Sequence, residues 1–292
     1  MLQAYNNMRR CDVTKSRFGV MWLLALSVFA SLAVATGRAE AAETEAVPNH
    51  PALNDRFSLE LGAYYSKANT SASLGPSGGG TGVVVDFENT LGLEDRNVSG
   101  IGGFVWRMSE RWRLEVEYFS LERDASRTLG TNLDWGDIPT IPAGNTVNSS
   151  FDFSDIRVGV GYSFFKRRDK ELGVGAGLHI SGIKTSIESA GFGAESTDVL
   201  APLPVVSFFG AFALTNEWAV RMRMDWLSLN YDIYSGDFRS TAIDVLYQPF
   251  RNVGFGLGLR SYVLDVEVDD TQWQGRARTV FTGPAAFMTV SF

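Results

Sequence analysis

The chain has 292 residues, of which 45% are hydrophobic and 20% are charged, and its formal net charge is −7. This composition excludes a largely disordered protein, and the excess of acidic residues argues against binding to a nucleic acid. The chain has one cysteine, Cys11, and two histidines, His50 and His179. A disulfide framework, a thiolate metal cluster and a histidine-rich metal site are therefore excluded as well.

The first 41 residues have the features of a secretory signal peptide. Basic residues precede an apolar run from Phe18 to Ala35, and an Ala39-Glu40-Ala41 cleavage motif follows it. An uncleaved signal anchor is the alternative, since about 18 apolar residues are just long enough to span a bilayer. The motif and the small residues that end the run favour cleavage. We therefore predict a signal peptide at residues 1–41 and export of the rest.

From Phe57 onward, apolar and polar residues alternate with a period of two, which predicts β-strands. A soluble sandwich alternates in the same way, but here aromatic residues bracket several apolar stripes, as they do at the two interfaces of a membrane barrel. The polar stripes mix glycine with charges of both signs, which fits a narrow lumen. The apolar stripe is therefore predicted to face lipid.

Gap lengths predict the topology. Short gaps such as Ser109-Glu110 and Thr215-Asn216 alternate with longer polar segments at 67–97, 124–149, 188–202, 230–237 and 268–275. Short periplasmic turns and long external loops are typical of outer-membrane barrels. We therefore predict an all-β fold, a single antiparallel transmembrane β-barrel of about ten strands, with eight or twelve strands as alternatives.

The predicted strands cover 57–66, 98–107, 111–123, 150–165, 171–187, 203–214, 217–229, 238–249, 252–267 and 276–292. The strand-like segment from Val83 to Asn89 is assigned to the first external loop, because an eleventh barrel strand would put the short turns outside. The predicted organisation is a signal peptide at 1–41, a short periplasmic lead at 42–55 and the barrel at 56–292.

Several segments resemble a known family. They are Asp86 to Leu93, Arg111 to Leu121, Glu171 to Ile180, Asn252 to Leu259, and the C-terminal stripe of Pro284, Ala286, Met288, Val290 and Phe292. With them, residues 56–292 resemble the small proteobacterial outer-membrane β-barrel proteins of the OmpA/OmpW-like superfamily. The resemblance implies a location in the outer membrane of a Gram-negative bacterium after signal-peptide cleavage.

The same resemblance implies the partners. Phe292, Val290 and Met288 look like the signal by which the barrel-assembly machinery recognises the last strand. Outer-membrane lipid and lipopolysaccharide are the other expected partners. The protein itself is expected to be a monomer. The resemblance carries over no catalytic residue and implies no cofactor.

The polar stripes place charges of both signs in the predicted lumen. The members are Glu60, Arg113, Glu115, Glu117, Asp155, Arg157, Arg221, Arg223, Asp225, Asp244 and Arg260. A barrel of eight to ten strands has an interior largely filled by side chains, and charges outside bulk water must be paired. We therefore predict a salt-bridged, filled lumen. A selective pore would be expected to show one sign of charge.

A catalytic reading depends on one residue pair. His179 and Ser181 lie two residues apart. This spacing resembles that of the lipid A deacylases, which are also outer-membrane barrels and in which histidine is the base and serine the nucleophile. The surrounding residues do not reproduce that motif, so shared hydrogen bonding in the lumen is the favoured interpretation. The ten-stranded omptin proteases need an Asp-His pair near the external rim, and the sequence contains no Asp-His dipeptide.

The first external loop contains four acidic residues, Asp86, Glu88, Glu94 and Asp95, near a glycine-rich stretch. Their oxygens suit Ca²⁺ or Mg²⁺, but no EF-hand spacing is present and a solvated acidic loop is the favoured interpretation. The sequence thus favours a non-enzymatic barrel whose loops serve envelope integrity or surface interaction. A small diffusion pore and a lipid A-modifying hydrolase are the alternatives.

Overall fold

The computed structural model describes residues 47–75, 82–136, 138–231, 234–269 and 274–292. The predicted signal peptide and the first residues of the lead lie outside these ranges. Within them, no helix has the length and apolar character needed to cross a membrane.

The described residues are almost entirely β-strand. Their elements are α1 Pro51–Asn54, β1 Phe57–Leu74, β2 Val85–Asp86, β3 Arg96–Arg107, β4 Trp112–Thr128, β5 Thr146–Lys166, β6 Lys170–Ser189, β7 Gly193–Ala213, β8 Trp218–Tyr231, β9 Tyr234–Tyr247, β10 Val253–Asp269 and β11 Gln274–Ser291. A π-helical turn at Phe87–Leu91 follows β2.

Ten of the strands form a closed antiparallel barrel. Each pairs with its neighbour in chain order, and β1 closes the ring by pairing with β11 from Ser58 opposite Ser291 to Leu74 opposite Gly275. The short strand β2 is additional and pairs with β1 at Ser71 and Ala72. The predicted all-β fold of ten barrel strands is therefore confirmed, and Val83 to Asn89 does not form a barrel strand.

The two ends of the barrel differ. At one end, which we call the turn end, short connections at 108–111, 167–169, 214–217 and 248–252 join the strands. The opposite end, the loop end, carries two longer connections, between β1 and β3 and between β4 and β5, and its other connections are short. The predicted loops at 188–202, 230–237 and 268–275 are wrong. The strands on either side stay paired up to Ser189 opposite Gly193, Tyr231 opposite Tyr234 and Asp269 opposite Gln274. Polar residues occupy both faces of these strand ends. The alternation of apolar and polar residues is therefore lost there, although the backbone hydrogen bonds between the strands continue.

Side chains alternate between an apolar outer face and the lumen. On β1, for example, Leu59 and Leu61 are 46% and 57% exposed on the outside. Aromatic pairs surround the turn end, with ring centroids 5.0 Å apart for Trp112 and Tyr162 and 4.5 Å apart for Trp218 and Tyr247. This arrangement is typical of a membrane barrel with an interfacial girdle.

Two strand ladders end early on the way to the loop end. The β3–β4 ladder ends at Ile101 opposite Phe119, and the β7–β8 ladder ends at Val206 opposite Trp226. Strands β4 to β7 therefore form one sheet in the outer half of the barrel, and the remaining barrel strands form a second.

Proline explains the end of the β7–β8 ladder. Leu214 donates its N–H to the Trp218 carbonyl, whereas Ala213 donates to Asp169 on the other side, so even-numbered residues of β7 direct their N–H toward β8. Pro204 and Pro202 occupy the next even positions after Val206. Because proline has no N–H, it cannot donate to this ladder.

Apolar side chains from the two sheets fill the space between them. Phe153 on β5 lies 5.0 Å from Phe281 on β11 and 5.1 Å from Tyr262 on β10, measured between ring centroids. Toward the loop end, Phe87 of the π-helical turn packs against Trp135 and Phe151. An apolar core therefore occupies the barrel interior on this side.

The lead closes the turn end. Leu53 of α1 is fully buried in a cluster that includes Ala211, Ala219 and Phe287. Arg107 donates to the Ala52 carbonyl at 2.9 Å, and Lys166 donates to the Leu53 carbonyl.

Candidate functional site

Charged side chains that project into the lumen form the candidate site. Residues two apart on one strand share a face, so Arg221, Arg223 and Asp225 of β8 point inward together. All the residues predicted for the lumen network are buried or half-buried and take part in ion pairs. The structure therefore brings the predicted set together.

Asp225 is the centre of the first group of ion pairs. Its carboxylate, which is fully buried, accepts hydrogen bonds from Arg157 Nε at 2.9 Å and Arg223 Nε at 3.0 Å. Arg157 also donates to Glu115 on β4 at 2.8 Å, and Arg223 donates to Glu117 on the same strand. Since β4 and β8 are not neighbours, the pair of Arg223 with Glu117 crosses the lumen.

A second group surrounds Asp244 on β9. Arg221 donates to Asp244 at 2.7 Å and forms two hydrogen bonds with Glu60 on β1, at 2.5 Å and 2.9 Å. Arg260 on β10 also donates to Asp244. Strands β1 and β8 are separated by three others in the ring, so this group also bridges the interior.

A third group at the turn end was missed by the sequence analysis. Glu171, the second residue of β6, is fully buried and accepts from Arg107 at 2.9 Å, from Lys166 at 3.3 Å and from the Ser163 hydroxyl. Arg113 lies 3.8 Å away. The sequence could have indicated it, because Glu171 and His179 are both odd-numbered residues of β6 and therefore lie on the same, lumen-facing side of the strand.

Glycines in the polar stripes make room for an aromatic ring inside the lumen. A Cβ atom at Gly173 would lie 2.0 Å from the Phe209 ring, and one at Gly161 would lie 2.6 Å from it. The Arg113 guanidinium lies 3.4 Å from the centre of the same ring. Phe209 thereby fills the space that two missing side chains leave.

The arrangement of His179 and Ser181 differs from that of a base and its nucleophile. Among the hydrogen bonds of the described residues, none joins the two side chains. Instead both bind Asp155, from His179 Nδ1 at 2.8 Å and from Ser181 Oγ at 2.7 Å. Ser181 also shares a hydrogen bond of 2.8 Å with Tyr262, and both site residues are buried.

An Asp–His pair thus exists in space although no Asp-His dipeptide exists in the sequence. It lies inside the barrel, beneath an aromatic layer, rather than at the rim. The Phe238 ring lies 4.5 Å from the His179 ring, and the Tyr262 ring lies 4.9 Å from that of Phe238. These rings separate the polar groups from the loop end.

A small cavity of about 60 Å³ remains in the ion-pair network. It is bordered by Glu60, Glu117, Arg223 and Arg260 among others, and the Glu117 side chain is 34% exposed. This volume holds a few water molecules.

The four acidic residues of the first loop do not converge on one point. Asp86 caps the π-helical turn by accepting from the Asn89 N–H at 2.7 Å, and Glu88 pairs with Arg123. Asp95 faces Lys67. In the described part of the chain, no three His, Cys, Asp or Glu side chains form a group that could hold a metal ion. The carboxylates of Asp86, Glu88 and Asp95 therefore take part in separate local contacts, and the candidate metal site at Asp86, Glu88, Glu94 and Asp95 stays a prediction.

The C-terminal stripe lies on the outer face. Met288 and Phe292 are 45% and 62% exposed, and Val290 is half-buried. Phe292 exchanges both backbone hydrogen bonds with Phe57, at 2.8 Å and 3.0 Å, so the last residue completes the ring.

Comparison with solved structures shows the fold. The chain is similar to the outer membrane protease OmpT from Escherichia coli, with a TM-score of 0.57, 11% identity, and coverage of 86% of this chain and 100% of that one. It is less similar to the P. putida toluene transporter TodX, with a TM-score of 0.35, 9% identity, and coverage of 85% and 94%. For Ail, the attachment invasion locus protein of Yersinia pestis, the TM-score is 0.32 at 8% identity, with coverage of 80% and 99%.

No protein-family model matches this sequence, and no curated protein matches it either. The similarity to OmpT establishes that the chain has the fold of the bacterial outer-membrane β-barrels. The narrower OmpA/OmpW-like assignment stays a prediction. The protease activity of OmpT is a property of that protein alone.

Proposed function

We propose that this chain is an integral outer-membrane β-barrel protein with a closed lumen, which acts without catalysis through its rigid wall and its external surface. The observation that carries the proposal is the pair of ion-pair groups that cross the interior, through Glu117 with Arg223 and through Glu60 with Arg221. One cavity among these groups has a volume of about 60 Å³. Envelope integrity or surface interaction is the role that such a barrel supports.

The ends of the barrel support its orientation. Short turns face the periplasm and longer connections face outward in outer-membrane barrels. On this basis the turn end with its docked lead is periplasmic, and the loop end with its apolar core is external. The predicted signal peptide would deliver the chain to the periplasm first.

The exposed C-terminal stripe supports a role for the barrel-assembly machinery as the partner that inserts the chain. Outer-membrane lipid surrounds the apolar outer face in this proposal, and lipopolysaccharide meets it at the loop end. A monomer is sufficient, because the ring closes within one chain between β1 and β11.

Planar-bilayer recording tests the closed lumen. We expect purified protein that shows a heat-modifiable, folded band on gels to give no unit conductance. A characterised porin inserted into the same bilayers is the positive control, because its conductance shows that an open barrel would be detected. Reproducible unit conductance from the unchanged protein would overturn the proposal in favour of a pore.

Mass spectrometry of lipid A tests the absence of catalysis. We expect lipid A from cells that express the chain to match lipid A from cells that express a Ser181→Ala variant. Loss of an acyl chain only with the unchanged protein would assign a hydrolase activity to Ser181 and contradict this part of the proposal.

A further inference from the structure

A cleft with a strongly cationic lining lies at the turn end, next to the third ion-pair group. Its volume is about 460 Å³, and its cations come from three separate parts of the chain. They are Arg56 after the lead, Arg107 and Lys166 at the ends of β3 and β5, and Arg167 and Arg168 in the turn between β5 and β6. We call this set the cationic cleft.

The floor of the cationic cleft is held in place. Arg107 and Lys166 both bind Glu171, and both also donate to carbonyls of α1. Asn54 of α1 donates to the Arg168 carbonyl at 2.9 Å and so ties the turn to the lead. The cations are therefore brought together by the fold and do not depend on a ligand to assemble them.

The rim of the cationic cleft carries an excess of positive charge. The flanking carboxylates pair elsewhere, Asp55 with Arg251 and Asp169 with Lys170. Within the described ranges, Arg56, Arg167 and Arg168 form no ion pair with a carboxylate, and Glu110 is the acidic residue among those that line the cleft. Such a concentration of guanidinium groups attracts anions, and guanidinium binds phosphate oxygens in a two-pronged geometry.

The position of the rim relative to the membrane indicates the source of the anion. The Arg56 guanidinium lies 5.5 Å from the centre of the Phe57 ring, and that of Arg167 lies 5.3 Å from the centre of the Phe165 ring. Phe57 also contacts Phe292, so its ring belongs to the aromatic girdle of the turn end. Aromatic girdles mark the depth of the lipid headgroups, where phosphates are concentrated.

We propose that the cationic cleft binds a phosphate ester, supplied by the headgroup of an anionic phospholipid in the periplasmic leaflet. The proposal rests on the membrane location proposed above but not on a closed lumen. Its ligand chemistry is shared with free phosphate in the periplasm, so the test must separate the two sources.

Native mass spectrometry in mixed micelles provides the test, with phosphatidylglycerol as the anionic probe and phosphatidylcholine as the zwitterionic one. We expect the unchanged protein to retain phosphatidylglycerol preferentially. Each of Arg56→Gln, Arg167→Gln and Arg168→Gln should weaken this retention about fivefold, as expected for removing one cation at a membrane surface. Arg111→Gln is the matched control, because Arg111 is exposed in a neighbouring turn and does not line the cleft.

Titration with inorganic phosphate separates the sources. If phosphate at millimolar concentration displaces phosphatidylglycerol from the unchanged protein, the cleft recognises the phosphate group and a small phosphate ester becomes the assigned ligand. If it does not, the lipid itself is the ligand. Equal retention of phosphatidylglycerol by the unchanged protein and by the triple variant, both showing the folded band on gels, would overturn the proposal, whatever the conductance measurements show.

Discussion

At the scale of single residues, Asp225 shows how a barrel tolerates many charges in its interior. A buried charge is costly unless it is paired and hydrogen-bonded. Asp225 meets this requirement by accepting from two arginines and from the Ser207 hydroxyl. Each arginine in turn binds a glutamate of β4, so that removing one member leaves several others incompletely paired.

Arg223→Leu tests this dependence. The substitution leaves Glu117 without its arginine and takes one of two arginines from Asp225, and breaking a buried pair typically costs about 3–5 kcal/mol. We expect a clear decrease in the temperature at which the folded band on gels converts to the unfolded one. Met222→Leu, on the outer face of the same strand, should leave that temperature nearly unchanged. Equal conversion temperatures for the two variants would contradict a structural role for the pair.

At the scale of elements, the glycines of β5 and β6 determine how closely the strands and the lumen side chains can pack. Gly161 and Gly173 belong to neighbouring strands, and Phe209 on β7 covers both. The ring would collide with any larger side chain at these positions. The glycine-rich polar stripe is thus matched to one aromatic residue on the next strand.

Gly173→Ala should destabilise the barrel. The added methyl group would lie 2.0 Å from the Phe209 ring and 2.6 Å from the Tyr162 carbonyl oxygen, so the strand or the ring must move. Overpacking of this kind typically costs about 1–3 kcal/mol. The matched control is Gly100→Ala, since a Cβ atom there meets nothing within 4 Å. Urea titration of the two variants in detergent is the measurement, and similar midpoints would show that the core adapts to the methyl group.

The lead is the second element with a testable property, because its docking involves His50. The buried imidazole caps α1 by accepting the Ala52 N–H at Nδ1, at 3.1 Å, which leaves Nε2–H to donate to the Glu217 carbonyl at 3.2 Å. Burial lowers the pKa of His50 below its usual value, although the Glu217 carbonyl and Asp55 act in the opposite direction. The docked lead therefore binds the neutral imidazole.

Acid should release the lead. The undocked His50 has an ordinary pKa of about 6.5, so docking is fully favoured above that pH. Below it the undocked form takes up a proton that the docked form does not, and docking weakens as the pH falls. A spin label at Val47→Cys should become more mobile between pH 7.5 and pH 5. In His50→Asn, which caps a helix without titrating, mobility should not change with pH, and an identical pH response in both would exclude His50 as its cause.

At the scale of the whole molecule, the barrel has two differently built halves. Near the turn end the strands form a continuous ring around ion pairs. Toward the loop end the ring separates into two sheets around an apolar core, with the ladder ends at Val206 and Ile101 marking the change. In the proposed closed lumen, closure depends on charge in one half and on apolar packing in the other.

Much of this architecture could be predicted from the sequence, because strand parity depends only on neighbouring residues. Period-two alternation identified the lumen-facing side of every strand that carries the charge network, and short gaps located the turns. The partners across the lumen could not be predicted, because the pairing of Glu117 with Arg223 depends on the tilt and stagger of strands that are distant in the chain. The docking of Leu53 was missed for a different reason, since a four-residue helix is too short to show a periodic pattern in the sequence.

The early end of the β7–β8 ladder should affect the rate at which backbone amides of β8 exchange with solvent. Even-numbered residues of β8 direct their N–H toward β7 and odd-numbered ones toward β9, so beyond Trp226 only the odd set keeps a ladder partner. In deuterated water the Ser228 amide should therefore lose its proton within minutes, while that of Leu227 keeps its proton far longer. At Arg221 and Met222, where both ladders are intact, the two amides should exchange equally slowly. The two prolines on β7 would then produce alternating fast and slow amide exchange along β8.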